Sequence, residues 1–179
     1  MLTVADSVLL VIDIQEKLFR VMYQKEQLAD NLQRLIKGIQ VLGVPVLVTE
    51  QYPHGLGPTI PEIAGLLPAV KPYPKFNFSC CGDGAFLQAF QLLHRKQVLI
   101  AGIESHICVF QTAADLIAAG YEVYVVGDAV SARTEQNKDV GIKMMLQSGA
   151  KLTSTEAALF ELLKVAKGDK FKAINQIVR

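Results

Sequence analysis

Short, almost wholly apolar runs alternate with helix-patterned segments along this chain. Residues 7–12 read Ser-Val-Leu-Leu-Val-Ile, and residues 97–102 form a similar run. Such runs are typical of parallel strands covered on both faces. Between them, residues 25–42 carry apolar side chains at helical spacing and stop before Gly43, a residue suited to a helix C-cap. The alternation predicts a three-layer α/β/α fold with a mainly parallel, six-stranded, Rossmann-like sheet.

The same patterns give approximate bounds for each element. Strands are predicted at residues 7–13, 45–49, 69–71, 97–102, 121–126 and 151–153. Helices are predicted at residues 25–42, 84–93, 105–119, 135–147 and 155–166, with a weaker helical pattern after Lys167. Residues 50–74 hold six of the seven prolines and form a long connection of the kind that often carries function. Without an internal repeat or linker, residues 1–179 are predicted to be a single domain.

Charge, hydropathy and cysteine content limit the classes of protein to which this chain can belong. The formal net charge is +1 from 18 basic and 17 acidic residues, with no basic block, so we expect no nucleic-acid partner. The apolar runs are too short to span a bilayer, and the N-terminus lacks the basic region of a signal peptide, so we expect no membrane association. Three cysteines do not make a disulfide framework, which favours a reducing, cytoplasmic location.

Three polar residues stand where parallel α/β sheets bind ligands, beyond the carboxyl ends of the strands. Asp13 ends the predicted first strand, and partial burial would raise its pKa toward that of a general base. Lys75 lies among aromatic and proline residues, where its charge would stabilise a neighbouring anion. The alternatives are a turn-forming or capping role for Asp13 and a solvated Lys75.

Cys108 is the third of these residues. It falls in the first turn of the predicted helix, and Ser105 is a plausible N-cap. The positive end of a helix dipole lowers the pKa of a thiol, so this position predicts a reactive thiolate. An ordinary buried core cysteine is the alternative.

Together these residues resemble the isochorismatase-like cysteine hydrolase family over residues 8–163. Three motifs carry the resemblance: Val-Ile-Asp-Ile-Gln at 11–15, Lys-Phe-Asn-Phe-Ser at 75–79 and Ala-Gly-Ile-Glu-Ser-His-Ile-Cys-Val at 101–109. The segment Glu-Gln-Tyr-Pro at 50–53 is most similar to a subgroup of isochorismatase domain-containing proteins whose substrate is unsettled.

The resemblance implies a catalytic triad of Asp13, Lys75 and Cys108. It places a cis peptide bond between Ile103 and Glu104, and an oxyanion hole at the backbone N–H groups of Glu104 and Cys108. The implied reaction is hydrolysis of a small amide, ureide or related C–N compound through a thioester intermediate. It also implies a homo-oligomer.

Five further residues at strand ends and loops are candidates for the substrate pocket: Gln15, Phe19, Tyr52, Phe76 and His106. For the aromatic members, packing is the alternative. His106 is only two residues from Cys108, a spacing that does not bring two side chains on a helix face to face, so a Cys–His pair is not expected.

No metal or other cofactor is predicted. Nicotinamidases of this family bind a metal through an Asp-x-His pair and further histidines, whereas here only Glu50 and His54 follow the second strand. A zinc site needs three protein ligands in good geometry. Isochorismatases that cleave a vinyl ether lack the nucleophilic cysteine, so the family's name does not fix the activity.

Two other functions stay open at this point. The first is a non-catalytic binding or scaffold protein of the same fold, with an unreactive Cys108. The second is a thiol redox protein using Cys108, or Cys80 with Cys81, although no Cys-x-x-Cys motif is present. A nucleotide-binding Rossmann protein is excluded because no glycine-rich turn follows the first strand.

Overall fold

A computed structural model describes residues 1–179 and contains six strands. They are β1 (Ser7–Ile12), β2 (Val46–Gln51), β3 (Tyr73–Lys75), β4 (Gln97–Gly102), β5 (Glu122–Val130) and β6 (Lys151–Thr153). They form one sheet in the order β3-β2-β1-β4-β5-β6, and every pair of neighbours is parallel. The predicted α/β fold with a six-stranded parallel sheet is therefore confirmed.

Nine α-helices connect and cover the strands. They are α1 (Glu16–Phe19), α2 (Lys25–Leu42), α3 (Pro53–Leu56), α4 (Pro61–Ala64), α5 (Gly84–Leu92), α6 (Phe110–Ala118), α7 (Glu135–Gln147), α8 (Thr155–Leu163) and α9 (Gly168–Val178). A 3₁₀ turn covers Cys80–Gly82, and a π-helical segment, Ser105–Val109, leads directly into α6. None of the helices is long and apolar enough to cross a membrane.

The core has two layers, one on each face of the sheet. Because side chains alternate along a strand, Leu9 and Val11 of β1 face one layer while Leu10 and Ile12 face the other. The first layer packs against α2 and α8, and the second packs against α5, α6 and α7. All six residues of β1 and of β4 are buried, as expected for central strands of a three-layer fold.

The predicted strand at residues 69–71 is wrong. The edge strand β3 is Tyr73–Lys75 instead, and it pairs with β2 from Thr49 to Gln51. Pro72 precedes this strand and Pro74 lies within it, and proline is not found in central strands. An edge strand tolerates proline because one side of its backbone needs no partner. Lys75 is therefore the last residue of a strand, at the edge of the sheet where parallel α/β folds bind ligands.

Candidate active site

Parallel order brings the three predicted site residues to one edge of the sheet. Asp13 follows β1, Lys75 ends β3, and Cys108 lies in the helical segment after β4. The strand order β3-β2-β1-β4 places these carboxyl ends within four adjacent strands. This is the edge at which parallel α/β sheets bind ligands.

Asp13 and Lys75 form a buried ion pair. Lys75 Nζ lies 2.7 Å from Asp13 Oδ2, and both side chains are 0% exposed. Asp13 also makes the turn that its position suggests: its φ is 54°, and its carbonyl oxygen accepts a hydrogen bond from the Gln15 N–H at 2.8 Å. Aspartate tolerates this left-handed conformation better than most residues. Asp13 therefore forms the turn after β1 with its backbone and the ion pair with its side chain.

The residues of β2 complete the surroundings of the pair. Thr49 Oγ1 donates to Asp13 Oδ1 at 2.8 Å, and Lys75 Nζ donates to Gln51 Oε1 at 2.7 Å. Lys75 also donates to the carbonyl oxygens of Asn77 and Phe78. Apart from the ammonium, Asp13 Oδ2 has no hydrogen-bond donor in the chain. That oxygen is the one with capacity left to accept a proton.

The protonation of the pair follows from its burial. Burial raises the pKa of Asp13, although the Lys75 charge and the hydrogen bond from Thr49 oppose the rise. Burial lowers the pKa of Lys75, but the charge of Asp13, its hydrogen bond and the two nearby cysteine sulfurs together outweigh burial and leave that pKa raised. Lys75 is therefore a fixed positive charge, and Asp13 is the better proton acceptor of the two.

Cys108 is only 7% exposed, and its thiol lies close enough to interact with the Asp13 carboxylate and the Lys75 charge. Burial raises the pKa of its thiol to about 12; the Asp13 charge adds to the rise, and the Lys75 charge opposes it. The lowered thiol pKa expected from the helix dipole is therefore wrong. Burial and the neighbouring carboxylate together raise the thiol pKa, so the resting side chain is a neutral thiol that needs a base.

The segment that carries Cys108 is positioned by α7. Ser105 does not cap the helix: its Oγ donates to the carbonyl oxygens of Asn137 and Lys138 in α7. A Cβ at Gly141 would lie 2.4 Å from the backbone carbon of Ser105, so glycine lets the two helical segments touch. The predicted N-cap at Ser105 is wrong because the hydroxyl has partners outside its own helix.

A cis peptide bond joins Ile103 and Glu104, at the position that the resemblance implies. The Glu104 N–H has no hydrogen-bond acceptor within the chain. The Glu104 carboxylate accepts from the N–H and Nε of Arg133, each at 3.1 Å, and so anchors this stretch of backbone. An unpaired N–H held by an anchored residue is suited to binding an oxyanion.

The five pocket candidates separate into two groups. Gln15 is fully buried, and its side-chain amide donates to the carbonyl oxygens of Gln51 and Gly57 and accepts from the Gln51 N–H. Phe19 is half-buried and packs against the core layer on the other side of the sheet from Cys108. Gln15 and Phe19 therefore have structural contacts, and their place in a substrate pocket stays a prediction. Tyr52 and Phe76 are exposed, and their ring centroids lie 5.7 Å apart. His106 is half-buried, and its Nδ1 has no partner.

Metal-binding side chains do not gather anywhere in the chain in groups of three or more. Of the two residues weighed as ligands, Glu50 accepts two hydrogen bonds from Thr59, and His54 is exposed. The donor set after β2 does not fit a zinc site of the kind that nicotinamidases use.

Comparison with known proteins places the fold and site in a family. Residues 7–157 match the Isochorismatase domain. The chain belongs to the isochorismatase family. It is 36% identical over 177 residues to isochorismatase domain-containing protein 2 of Danio rerio, covering 99% of this chain and 89% of the relative. Membership of this family supports a hydrolytic enzyme, and the predicted subgroup is confirmed.

Two further relatives of this isochorismatase-family chain carry different names. Secreted isochorismatase effector Isc1 of Phytophthora sojae is 38% identical over 177 residues, covering 97% of this chain and 84% of the relative. A solved structure described as MAR1 ribonuclease of Caenorhabditis elegans is 34% identical, with a TM-score of 0.91 over 99% of this chain and 91% of that one. Because one relative is named as secreted, the cytoplasmic location stays a prediction, as does the homo-oligomer.

Sequence reasoning missed the residues around the pair. Thr49 and Gln51 were not singled out, although both are polar residues in the second half of a strand that begins with three apolar residues. Cys80 was left without a role; it is fully buried, and its Sγ lies 3.8 Å from Thr49 Oγ1. Burial also raises the pKa of Cys80 to about 12.

Alkylation of Cys108 by iodoacetamide should be slow at neutral pH and should keep rising through pH 10. A free cysteine, with a pKa of about 8.5, levels off earlier. The Asp13→Asn variant loses one of the charges that raise the thiol pKa and keeps Lys75, so the pH at which alkylation of Cys108 rises should move down by about one unit. Mass spectrometry of the Cys108 peptide measures both rates.

The control for this experiment is Asp169→Asn, which removes a fully exposed carboxylate in α9. Its profile should match that of the wild type. A wild-type plateau near pH 9, or an Asp13→Asn profile that rises at the same pH as that of the wild type, would contradict the raised thiol pKa.

Proposed function

We propose that this protein is a cysteine-dependent hydrolase of small amides, ureides or related C–N compounds. One observation carries the proposal: a neutral, buried thiol at Cys108 faces a carboxylate–ammonium pair at the carboxyl ends of the strands. Such a thiol is inert until a base removes its proton, and Asp13 is the base within reach. The arrangement suits nucleophilic attack rather than a purely structural role.

In the proposed first half-reaction, Asp13 Oδ2 takes the proton from Cys108 Sγ as the sulfur attacks the substrate carbonyl carbon. The oxyanion that forms accepts hydrogen bonds from the N–H groups of Glu104 and Cys108. Asp13 then returns the proton to the leaving nitrogen as the C–N bond breaks, which leaves a thioester on Cys108. Lys75 stays protonated throughout and holds the negative charge in place.

In the second half-reaction, water attacks the thioester carbon and Asp13 accepts a proton from the water. Collapse of the tetrahedral intermediate breaks the C–S bond, releases the carboxylic acid and returns the proton to the sulfur. The resting thiol is restored. Asp13 thus alternates between base and acid, a role that its raised pKa suits.

Burial supports a small substrate. Asp13 and Lys75 are 0% exposed as side chains, and Cys108 is 7% exposed. Only a compact group reaches such a centre, with Tyr52 and Phe76 at its exposed rim. The same burial argues against cleavage of a polymer backbone, and therefore against RNA as the substrate of this chain.

A panel of small amides and ureides tests the proposal by release of ammonia or amine. We expect turnover of at least one member, together with a mass increase on Cys108 equal to the acyl group when the reaction is quenched in acid. A structured RNA of comparable concentration should stay intact. Cleavage of RNA with no turnover of the panel, or no turnover of either, would overturn the proposal and favour a nuclease or a scaffold protein, respectively.

A further inference from the structure

A separate cavity lies on the face of β2 opposite the ion pair. Thr49 and Gln51 point to the layer that holds Asp13 and Lys75. Val48 and Glu50 alternate with them and therefore point to the other layer, because successive side chains of a strand point to opposite faces. There they line a cavity of about 340 Å³. The sheet itself separates this cavity from the candidate active site.

The walls of the cavity are mainly apolar. Val48 of β2 forms the floor, and Ile63, Leu67 and Val70 come from the proline-rich segment that follows it. Three prolines from the same segment also line the cavity. Ligand pockets for small molecules begin at about 300 Å³ and combine apolar walls with a few placed polar groups. This volume suits a ligand with one ring or a short branched chain.

Glu50 is the one charged group in the wall. Its Oε1 accepts hydrogen bonds from the N–H and Oγ1 of Thr59, both at 2.7 Å, which fix the carboxylate in position. None of the five ion pairs in the chain includes Glu50, and Oε2 has no donor within the chain. A fixed carboxylate beside apolar walls, without a basic partner, attracts a cation.

We propose that this cavity binds a small primary amine. The ammonium group meets Oε2 of Glu50, and the apolar body packs between Val48 and the side chains of the proline-rich segment. A neutral ligand of the same shape packs against the apolar walls equally well, but it leaves the Glu50 carboxylate without a cation. The site is independent of the proposed amide hydrolysis, since no residue of the ion pair lines it.

Benzylamine and benzyl alcohol are the matched probes, because they share a ring and differ in charge at neutral pH. Titration of the ¹⁵N-labelled protein should shift amide signals of residues 48–70, with benzylamine binding about tenfold or more tighter than the alcohol. In Glu50→Gln, which keeps an acceptor for Thr59, that preference should disappear. Glu62→Gln removes an exposed carboxylate of the neighbouring helix α4 and should leave it unchanged.

A second variant tests the cavity itself. Ala64→Trp places a large side chain at the wall, and it should abolish the shifts from both probes while the rest of the spectrum stays folded. Equal affinity for the two probes, shifts outside residues 48–70, persistence of binding in Ala64→Trp, or no shifts at millimolar probe would each overturn the proposal.

Discussion

The Cys108→Ala variant should lose amide hydrolysis by roughly 10⁴-fold or more, measured as kcat on the best substrate of the amide panel. Without the sulfur no thioester forms, and water must attack the amide directly. Asp13, Lys75 and the backbone donors remain in place, so substrate binding should change little. The effect should therefore appear in kcat, with KM within about threefold of the wild type.

Cys81→Ala is the matched control for this loss. Cys81 is a half-buried free cysteine outside the ion-pair cluster, and its removal should leave kcat unchanged. If Cys108→Ala kept more than about a tenth of the wild-type rate, the sulfur would not be the nucleophile. Asp13 would then act as the base for direct attack by water, and the covalent step of the proposed mechanism would be wrong.

The central strands were predictable because a strand that is buried on both faces consists almost wholly of apolar residues. β1 and β4 are unbroken apolar runs, and their bounds agree with the structure to within one residue. The helices α2 and α7 were predicted at their observed bounds, since each has a clear stop signal. The edge strand β3 was placed four residues too early. An edge strand can form without an apolar run and can contain proline, so its sequence carries no clear strand pattern.

The candidate site could be anticipated only as three separate residues, Asp13, Lys75 and Cys108. Strand order decides which ends are neighbours, and the sequence does not contain that order. Once β2 lies between β1 and β3, Thr49 and Gln51 must meet Asp13 and Lys75. The raised thiol pKa of Cys108 was also out of reach, because the helix dipole is a local property whereas burial and the Asp13 charge come from distant parts of the chain.

Lys75→Met should lower the free energy of unfolding by about 3–5 kcal/mol at pH 8. Methionine keeps the length of the side chain but leaves the Asp13 carboxylate buried without its cation. It also leaves the Gln51 side chain and the Asn77 and Phe78 carbonyl oxygens without their common donor. Urea unfolding followed by circular dichroism measures the loss. Lys172→Met, an exposed lysine in α9, should change stability by less than about 0.5 kcal/mol.

The pH dependence of this loss separates electrostatics from packing. Without Lys75, the pKa of Asp13 in the folded state should rise well above its unfolded value of about 3.9. A group with a raised folded pKa holds its proton in the folded state where the unfolded chain has lost it, so stability falls as the pH rises between those two values. The deficit of Lys75→Met should therefore be smaller at pH 5 than at pH 8.

The double variant Asp13→Asn/Lys75→Met provides the deciding comparison. It removes both charges, so it should be more stable at pH 8 than Lys75→Met alone, with a coupling of about 1–3 kcal/mol between the two sites. Its stability should also lack the fall between pH 5 and pH 8 that the buried Asp13 carboxyl gives Lys75→Met. If the double variant instead lost the sum of the two single effects at every pH, Lys75 would stabilise the fold through its methylene packing, and Asp13 would not depend on it.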